Sequence, residues 1–151
     1  MTARRFTLDT NLLVYAADGV PGERQHKARD LIERAASADC TLTVQALAEF
    51  FRVMTRKFQF PPTTVARTVN AWRDAFPICS ADEFALVDAM DAVETHKLGL
   101  WDAIIWATAR RAGCRAVLSE DFQDGRELGG VIFINPLLPK PSSMLEELIG
   151  S

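Results

Sequence analysis

No run in the 151-residue sequence approaches the ~18 consecutive apolar residues of a membrane-spanning helix. The opening "MTARRFTLD" lacks the apolar core of a signal peptide. Cysteine is scarce. Cys40, Cys79 and Cys114 are odd in number and none sits in a C-x-x-C pair, which argues against a disulfide framework or a zinc cage and makes them packing residues. A soluble protein of the reducing cytoplasm, with no membrane partner, is expected. Basic charge is not in excess either: 17 Lys and Arg face 20 Asp and Glu, for a net charge of −3. Coating nucleic acid by bulk charge is therefore excluded, although a local basic patch is not. The two histidines, His26 and His96, lie in charged segments and are expected at the surface. No internal repeat and no low-complexity block is present.

What remains is an ordinary globular balance, 48% hydrophobic and 25% charged. The length suits a single domain over residues 1–151, able to bury roughly two-thirds of its unfolded surface. Four short runs read as strands: "FTL", "TLTV", "AVLS" and "VIFIN". Six helical patterns lie between or beside them. One starts over Leu12 to Ala17. A second repeats Ala28, Leu31, Ile32 and Ala35, and a third carries Leu47, Phe50, Phe51, Met54 and Phe58 until "FPP" stops it. Thr63 or Thr64 is the expected cap of a fourth helix running toward Phe76. "SADE", Ser80 to Glu83, reads as a capping box opening a fifth. Leu100 to Arg111 reads as a sixth, stopped by Gly113. The tail over residues 136–151 either docks as a short helix or frays. Alternation of strands and helices predicts an α/β fold with a mainly parallel sheet, whose ligands sit beyond the carboxyl ends of the strands.

Carboxylates gather at that expected edge. "FTL" delivers Asp9, "TLTV" leads through Gln45 to Glu49, and "AVLS" delivers Glu120 and Asp121. Asp102 opens "LWDAIIWATA", a helix apolar nearly all round and therefore expected to be buried. The helix dipole favours an acid in the first turn by only about 0.3–1 kcal/mol, too little to justify burying a charge. Two unit charges at about 4 Å repel by roughly 4 kcal/mol at an effective dielectric near 20. A cluster of four would strain a domain whose whole stability is about 5–15 kcal/mol. Such acids must take up protons or bind cations, and an all-oxygen donor set suits magnesium or manganese. That chemistry matches metal-assisted hydrolysis of a phosphodiester.

Each residue also has an ordinary structural reading. Asp9 suits a helix N-cap, Glu49 an exposed ion pair with Arg52, and Asp121 and Asp124 a turn ahead of Gly125. Trp72, Trp101 and Trp106 read as core or interface rather than as platforms for bases. Joint placement, not any single residue, favours a metal site.

These segments resemble a PIN domain, and specifically the VapC ribonuclease toxins of type II toxin–antitoxin systems. The resemblance rests on "LDTNLLVYA", "QALAEFFRV", "LGLWDAIIWATARRAGC" and "LSEDFQDG", in that order, and spans most of the chain. It implies a three-layer α/β fold, a central mainly parallel sheet flanked by helices. It also implies a Mg2+- or Mn2+-dependent endoribonuclease. Carried over position by position, Asp9, Glu49, Asp102 and Asp121 match the four catalytic acids. Asn11 and Ser119 match the supporting polar residues. On this likeness Asp9, Asp102 and Asp121 ligate the metal, while Glu49 positions the attacking water or a second metal. Glu120 and Asp124 rival Asp121 for the fourth place. Leu100 and Trp101 depart from the usual residues before the third acid. Arg52, Arg56, Lys57, Arg110 and Arg111 are the candidate contacts to an RNA substrate. The resemblance further implies a homodimer and a VapB-like antitoxin whose tail covers the acidic site, with Phe58 and Phe60 as candidate interface residues. A catalytically silent PIN-like module that binds RNA or protein is the alternative. A haloacid-dehalogenase-type phosphatase needs a second aspartate two positions after the first, where this chain has Asn11.

Overall fold

The computed structural model describes residues 4–150. The outermost residues of the expected 1–151 domain, and the first residues of the opening segment read above, lie outside that range. Thirteen elements follow in order: β1 (Phe6–Leu8), α1 (Thr10–Ala17), α2 (Glu23–Ala35), β2 (Cys40–Thr43), α3 (Val44–Arg56), α4 (Pro62–Ala75), β3 (Ile78–Cys79), α5 (Glu83–His96), α6 (Leu100–Arg111), β4 (Ala116–Leu118), β5 (Glu127–Leu128), β6 (Val131–Ile134) and α7 (Ser143–Ile149).

The sheet order is β3-β2-β1-β4-β6-β5, parallel throughout except for the antiparallel β5–β6 edge. All four strands read from the sequence are present. Continuous apolar runs are what a sheet covered on both faces requires, and β1, β2 and β4 are buried along their whole length. The chain winds outward from β1 to β2 and β3, then returns to the other side of β1 as β4. By the right-handed rule for parallel crossovers, this reversal of direction implies that α5 and α6 cover the face opposite α1 to α4. The reversal makes the gap between β1 and β4 a topological switch point, the place where such sheets bind ligands.

Local chemistry sets the helix ends. The α4 helix starts at Pro62, not behind a threonine cap, because proline at the first helical position gives up an N–H that has no partner there anyway. Asp82, rather than Ser80, caps α5 by accepting from the Ala85 N–H. Gly113 takes φ +81°, which lets the chain turn out of α6 into β4. The tail docks: α7 buries Leu145, Leu148 and Ile149, while Arg34 on α2 pairs with Glu146 at 3.0 Å. Phe58 and Phe60 pack against the core. Cys40 and Cys114 are buried and free, as packing residues should be. No described helix is long and apolar enough to cross a membrane.

Candidate active site

Parallel topology collects the acids. Residues that follow strands β1, β2 and β4 emerge at the carboxyl edge. A helix that leads back into a parallel strand, as α6 leads into β4, begins at the same edge. Pairing of Leu8 with Leu118 sets Asp9 beside Ser119 across the switch point, where the Asp9 N–H donates to the Leu118 carbonyl at 2.9 Å.

Asp9 is 7% exposed and caps α1, so the capping reading of this residue holds as well. Its Oδ1 accepts from the Thr10 N–H at 2.8 Å and its Oδ2 from the Ser119 hydroxyl at 2.7 Å. Ser119 Oγ in turn accepts from the Asp121 N–H at 3.0 Å, which ties the loop after β4 to Asp9. Burial pushes the Asp9 carboxyl from 3.8 up to about 6. The bonds from Ser119 and Thr10 oppose that rise, and the charges of Asp121 and Glu49 add to it.

Glu49 does not pair with Arg52. Its Oε2 accepts from the Thr10 hydroxyl at 3.0 Å and its Oε1 from Gln45 Nε2 at 3.1 Å. Gln45 Nε2 also donates to the Trp101 carbonyl at 2.9 Å, joining α3 to the start of α6. Thr10 and Gln45 are positioning groups that the sequence reading passed over. The available signals were a hydroxyl directly after Asp9 and an amide one helical turn before Glu49.

Asp102 corrects an expectation. It is exposed, not buried, because the first turn of α6 stands clear of the core that begins at Ala103. Partial desolvation, then the charges of Asp121 and Glu49, still raise its carboxyl above the ordinary range. Asp121 and Glu49 thus act electrostatically on both Asp9 and Asp102, and among the described residues neither acid forms a salt bridge. The three acids after β4 part company. Glu120 accepts from the Tyr15 hydroxyl and lies 4.0 Å from Arg24, while Asp124 accepts from the Asn135 N–H at 2.8 Å. Of the three, only Asp121 is among the charges that raise the Asp9 and Asp102 carboxyls.

A cleft of about 840 Å³ lies along α1 and α3, lined by Glu49 and Asp121 of this group but not by Asp9 or Asp102. Its lining includes Asn11, Gln45, Glu49, Trp101 and Asp121 together with Arg52, Arg56 and Lys57. Both amide atoms of Asn11 and Gln45 Oε1 are buried without a hydrogen-bond partner among the described residues. Arg110 and Arg111, grouped with the basic candidates above, instead close the far end of α6. That is about 12 Å from Asp102 at 1.5 Å per residue. Arg111 pairs with Asp88 at 3.2 Å and Asp82 at 3.6 Å, and Arg110 lies over the Trp106 ring.

The donor chemistry fits a hard divalent ion: oxygen-only, mutually repelling, uncompensated, with orphaned amide groups alongside. Among the described residues no three His, Cys, Asp or Glu side chains already stand close enough to hold an ion in common. Asp102 and Asp121 are exposed, and their carboxyls accept no hydrogen bond among those residues. Asp9, by contrast, is held by the Thr10 N–H and the Ser119 hydroxyl.

The PIN domain family model matches residues 6–123. No curated protein matches the chain. Among solved structures, Mycobacterium tuberculosis VapC20, a sarcin–ricin loop cleaving toxin, is 15% identical at a TM-score of 0.62, covering 77% of this chain and 91% of its own. A toxin–antitoxin complex from Klebsiella pneumoniae gives 22% identity and a TM-score of 0.64 over 86% of this chain and 96% of the other. DNA-bound VapBC from Salmonella typhimurium gives 16% and 0.64, over 85% and 96%. At these identities the likeness is one of fold.

Proposed function

The chain belongs to the PIN domain family, and from that premise we propose that it is a metal-dependent endoribonuclease, a VapC-like toxin that hydrolyses phosphodiester bonds of cellular RNA. The observation that carries this reading is that Asp121 and Glu49 raise the carboxyls of both Asp9 and Asp102, so that acids from four separate segments act on one another electrostatically.

Asp9, Asp102 and Asp121 would hold Mg2+ or Mn2+. A bound divalent ion lowers the pKa of a water and neutralises charge on the phosphate. Everything else is work of the chain itself. Ser119 and the Thr10 N–H lock the orientation of Asp9. Thr10 and Gln45 fix Glu49, which orients the attacking water and accepts its proton. Asn11 lines the floor of the cleft with an amide whose hydrogen-bonding capacity is unspent. Arg52, Arg56 and Lys57 take the RNA phosphates, positioning the strand without reading its sequence.

Two partners follow from the same reading. One is a VapB-like antitoxin that covers the acidic cleft. The solved neighbours from Klebsiella pneumoniae and Salmonella typhimurium are themselves toxin–antitoxin assemblies. The other is a second copy of the chain. The exposed apolar face of α5, with Leu86, Val87 and Met90 opposite the buried Ala85, Ala89 and Ala92, supports a homodimer.

The alternative, a catalytically silent module that binds RNA or protein, draws on one observation: no three acids already stand at metal-holding distance among the described residues. A cleavage assay separates the two. The wild type should cut RNA in Mg2+ and stop in EDTA, while Asp9→Asn and Asp102→Asn should bind RNA without cutting it. Equal binding by all three, with no cleavage by any, would establish the silent module.

A further inference from the structure

Of the three tryptophans, two are in use within the fold. Trp106 is buried, and its indole N–H donates to the Leu128 carbonyl at 3.1 Å. Trp72 is half-buried and packs edge-on to Phe50 with centroids 4.7 Å apart. Trp101 is neither. It is 65% exposed, the most exposed of the large hydrophobic side chains described, which removes the core half of the core-or-interface expectation.

Its position is not that of a stray surface residue. Trp101 lines the same cleft as Glu49 and Asp121, and it directly precedes Asp102. Leu86, Val87 and Met90, the exposed apolar residues of α5, do not line that cleft. The Trp101 backbone is pinned: its carbonyl accepts from the same Gln45 nitrogen that holds Glu49. Gln45, Glu49, Arg52 and Arg56 recur at helical spacing along α3, about 16 Å from first to last. Along α3 the cleft lining passes from Gln45, bonded to the Trp101 carbonyl, through Glu49 to Arg52 and Arg56, with Tyr15 and Phe58 as its other aromatic residues. A polyanion whose backbone crosses the acids from Arg56 and Arg52 arrives at Trp101 with its next base.

We propose that Trp101 is a nucleobase-binding residue: its indole stacks on the base beside the scissile phosphate and sets the strand's register over Asp102. This rests on the endoribonuclease reading above. Stacking suits the place, because an indole has a face for any base while the neighbouring carboxylates of Asp102, Glu49 and Asp121 have none to offer.

The test is steady-state cleavage of a mixed-sequence single-stranded oligoribonucleotide by wild type, Trp101→Ala and Trp101→Phe, with tryptophan fluorescence followed as RNA is added. Trp101→Ala should lower kcat/KM by roughly five- to hundredfold. Trp101→Phe should restore most of that loss. The salt dependence should stay as in wild type, since no phosphate contact is removed. RNA should quench the wild type but not Trp101→Ala, in which Trp72 and Trp106 remain. Unchanged kcat/KM in Trp101→Ala overturns the proposal and leaves the nuclease standing. So does a loss that Trp101→Phe fails to rescue, or one that accompanies a smaller sedimenting species, which would assign the indole to a protein interface. A wild type that neither binds nor cuts RNA overturns both readings.

Discussion

Replacing Asp9 by Asn should stabilise the metal-free protein while abolishing its cleavage of RNA. Burial, ahead of the charges on Asp121 and Glu49, holds the Asp9 carboxyl at about 6 in the folded state against 3.8 ordinarily. Between those values the native protein keeps a proton that the unfolded chain releases. The stability it contributes is therefore complete below pH ~4 and lost as the pH rises through about 6. A rise of that size corresponds to about 3 kcal/mol at neutral pH. Asn keeps the shape and removes the charge. Its carbonyl accepts from the Thr10 N–H, and its amide donates to Ser119 Oγ, which already accepts from Asp121. The Ser119 hydroxyl proton then loses its acceptor, at a cost of about 1 kcal/mol. The balance is about 2 kcal/mol in favour of Asn, or roughly 4–8 °C in Tm for a chain of this length. Urea denaturation in EDTA, at about pH 5 and again at about pH 7.5, reads this directly. Wild type should lose clearly more stability between the two than Asp9→Asn, in which only the raised Asp102 carboxyl still contributes to the loss. Added Mg2+ should then stabilise wild type alone, by mass action. An Asn variant less stable than wild type at the higher pH in EDTA, or a wild type indifferent to pH across that window, would refute the reasoning.

Three further outcomes are expected. Ser119→Ala deprives Asp9 Oδ2 of its donor, so the Asp9 carboxyl should rise further and the acidic limb of the pH–rate profile should move to higher pH. Arg52→Ala and Arg56→Ala should each weaken RNA binding similarly across sequences and reduce the slope of log affinity on log salt by about 1. Arg111→Ala serves as the control, since its exposed pairs with Asp82 and Asp88 lie off the cleft and contribute at most about 1 kcal/mol of stability. Phe133→Ala removes a fully buried ring stacked on Phe122 at 4.1 Å and should cost about 3–5 kcal/mol in the same urea assay.

Hydrophobic runs and helix stops carried the fold. "FTL", "TLTV", "AVLS" and "VIFIN" each supply a strand, with the threonines Thr7, Thr41 and Thr43 buried alongside the apolar residues and Val44 opening α3 instead, and Leu100 to Arg111 is a helix over its full expected range. The two-residue strands β3 and β5 were illegible, because two residues show no period; their neighbours' hydrogen bonds create them. Asp102 shows where composition misleads. An all-round apolar helix implied burial, yet only from Ala103 onward does α6 lie under the sheet, and an exposed first turn is what leaves a carboxylate accessible. The place of Asp9 was legible from an apolar strand handing over to an apolar helix. Which of Glu120, Asp121 and Asp124 joins it was not. Adjacent residues in a loop point apart, and Tyr15, Arg24 and Asn135, all distant in sequence, occupy the other two.

Titration calorimetry of Mn2+ into the metal-free protein tests most directly whether these carboxylates serve one ion. Wild type should bind with proton release that grows as the pH falls toward 6, and Asp9→Asn, Asp102→Asn and Asp121→Asn should each lose most of that affinity. Binding of equal strength by wild type and all three variants would contradict a shared site.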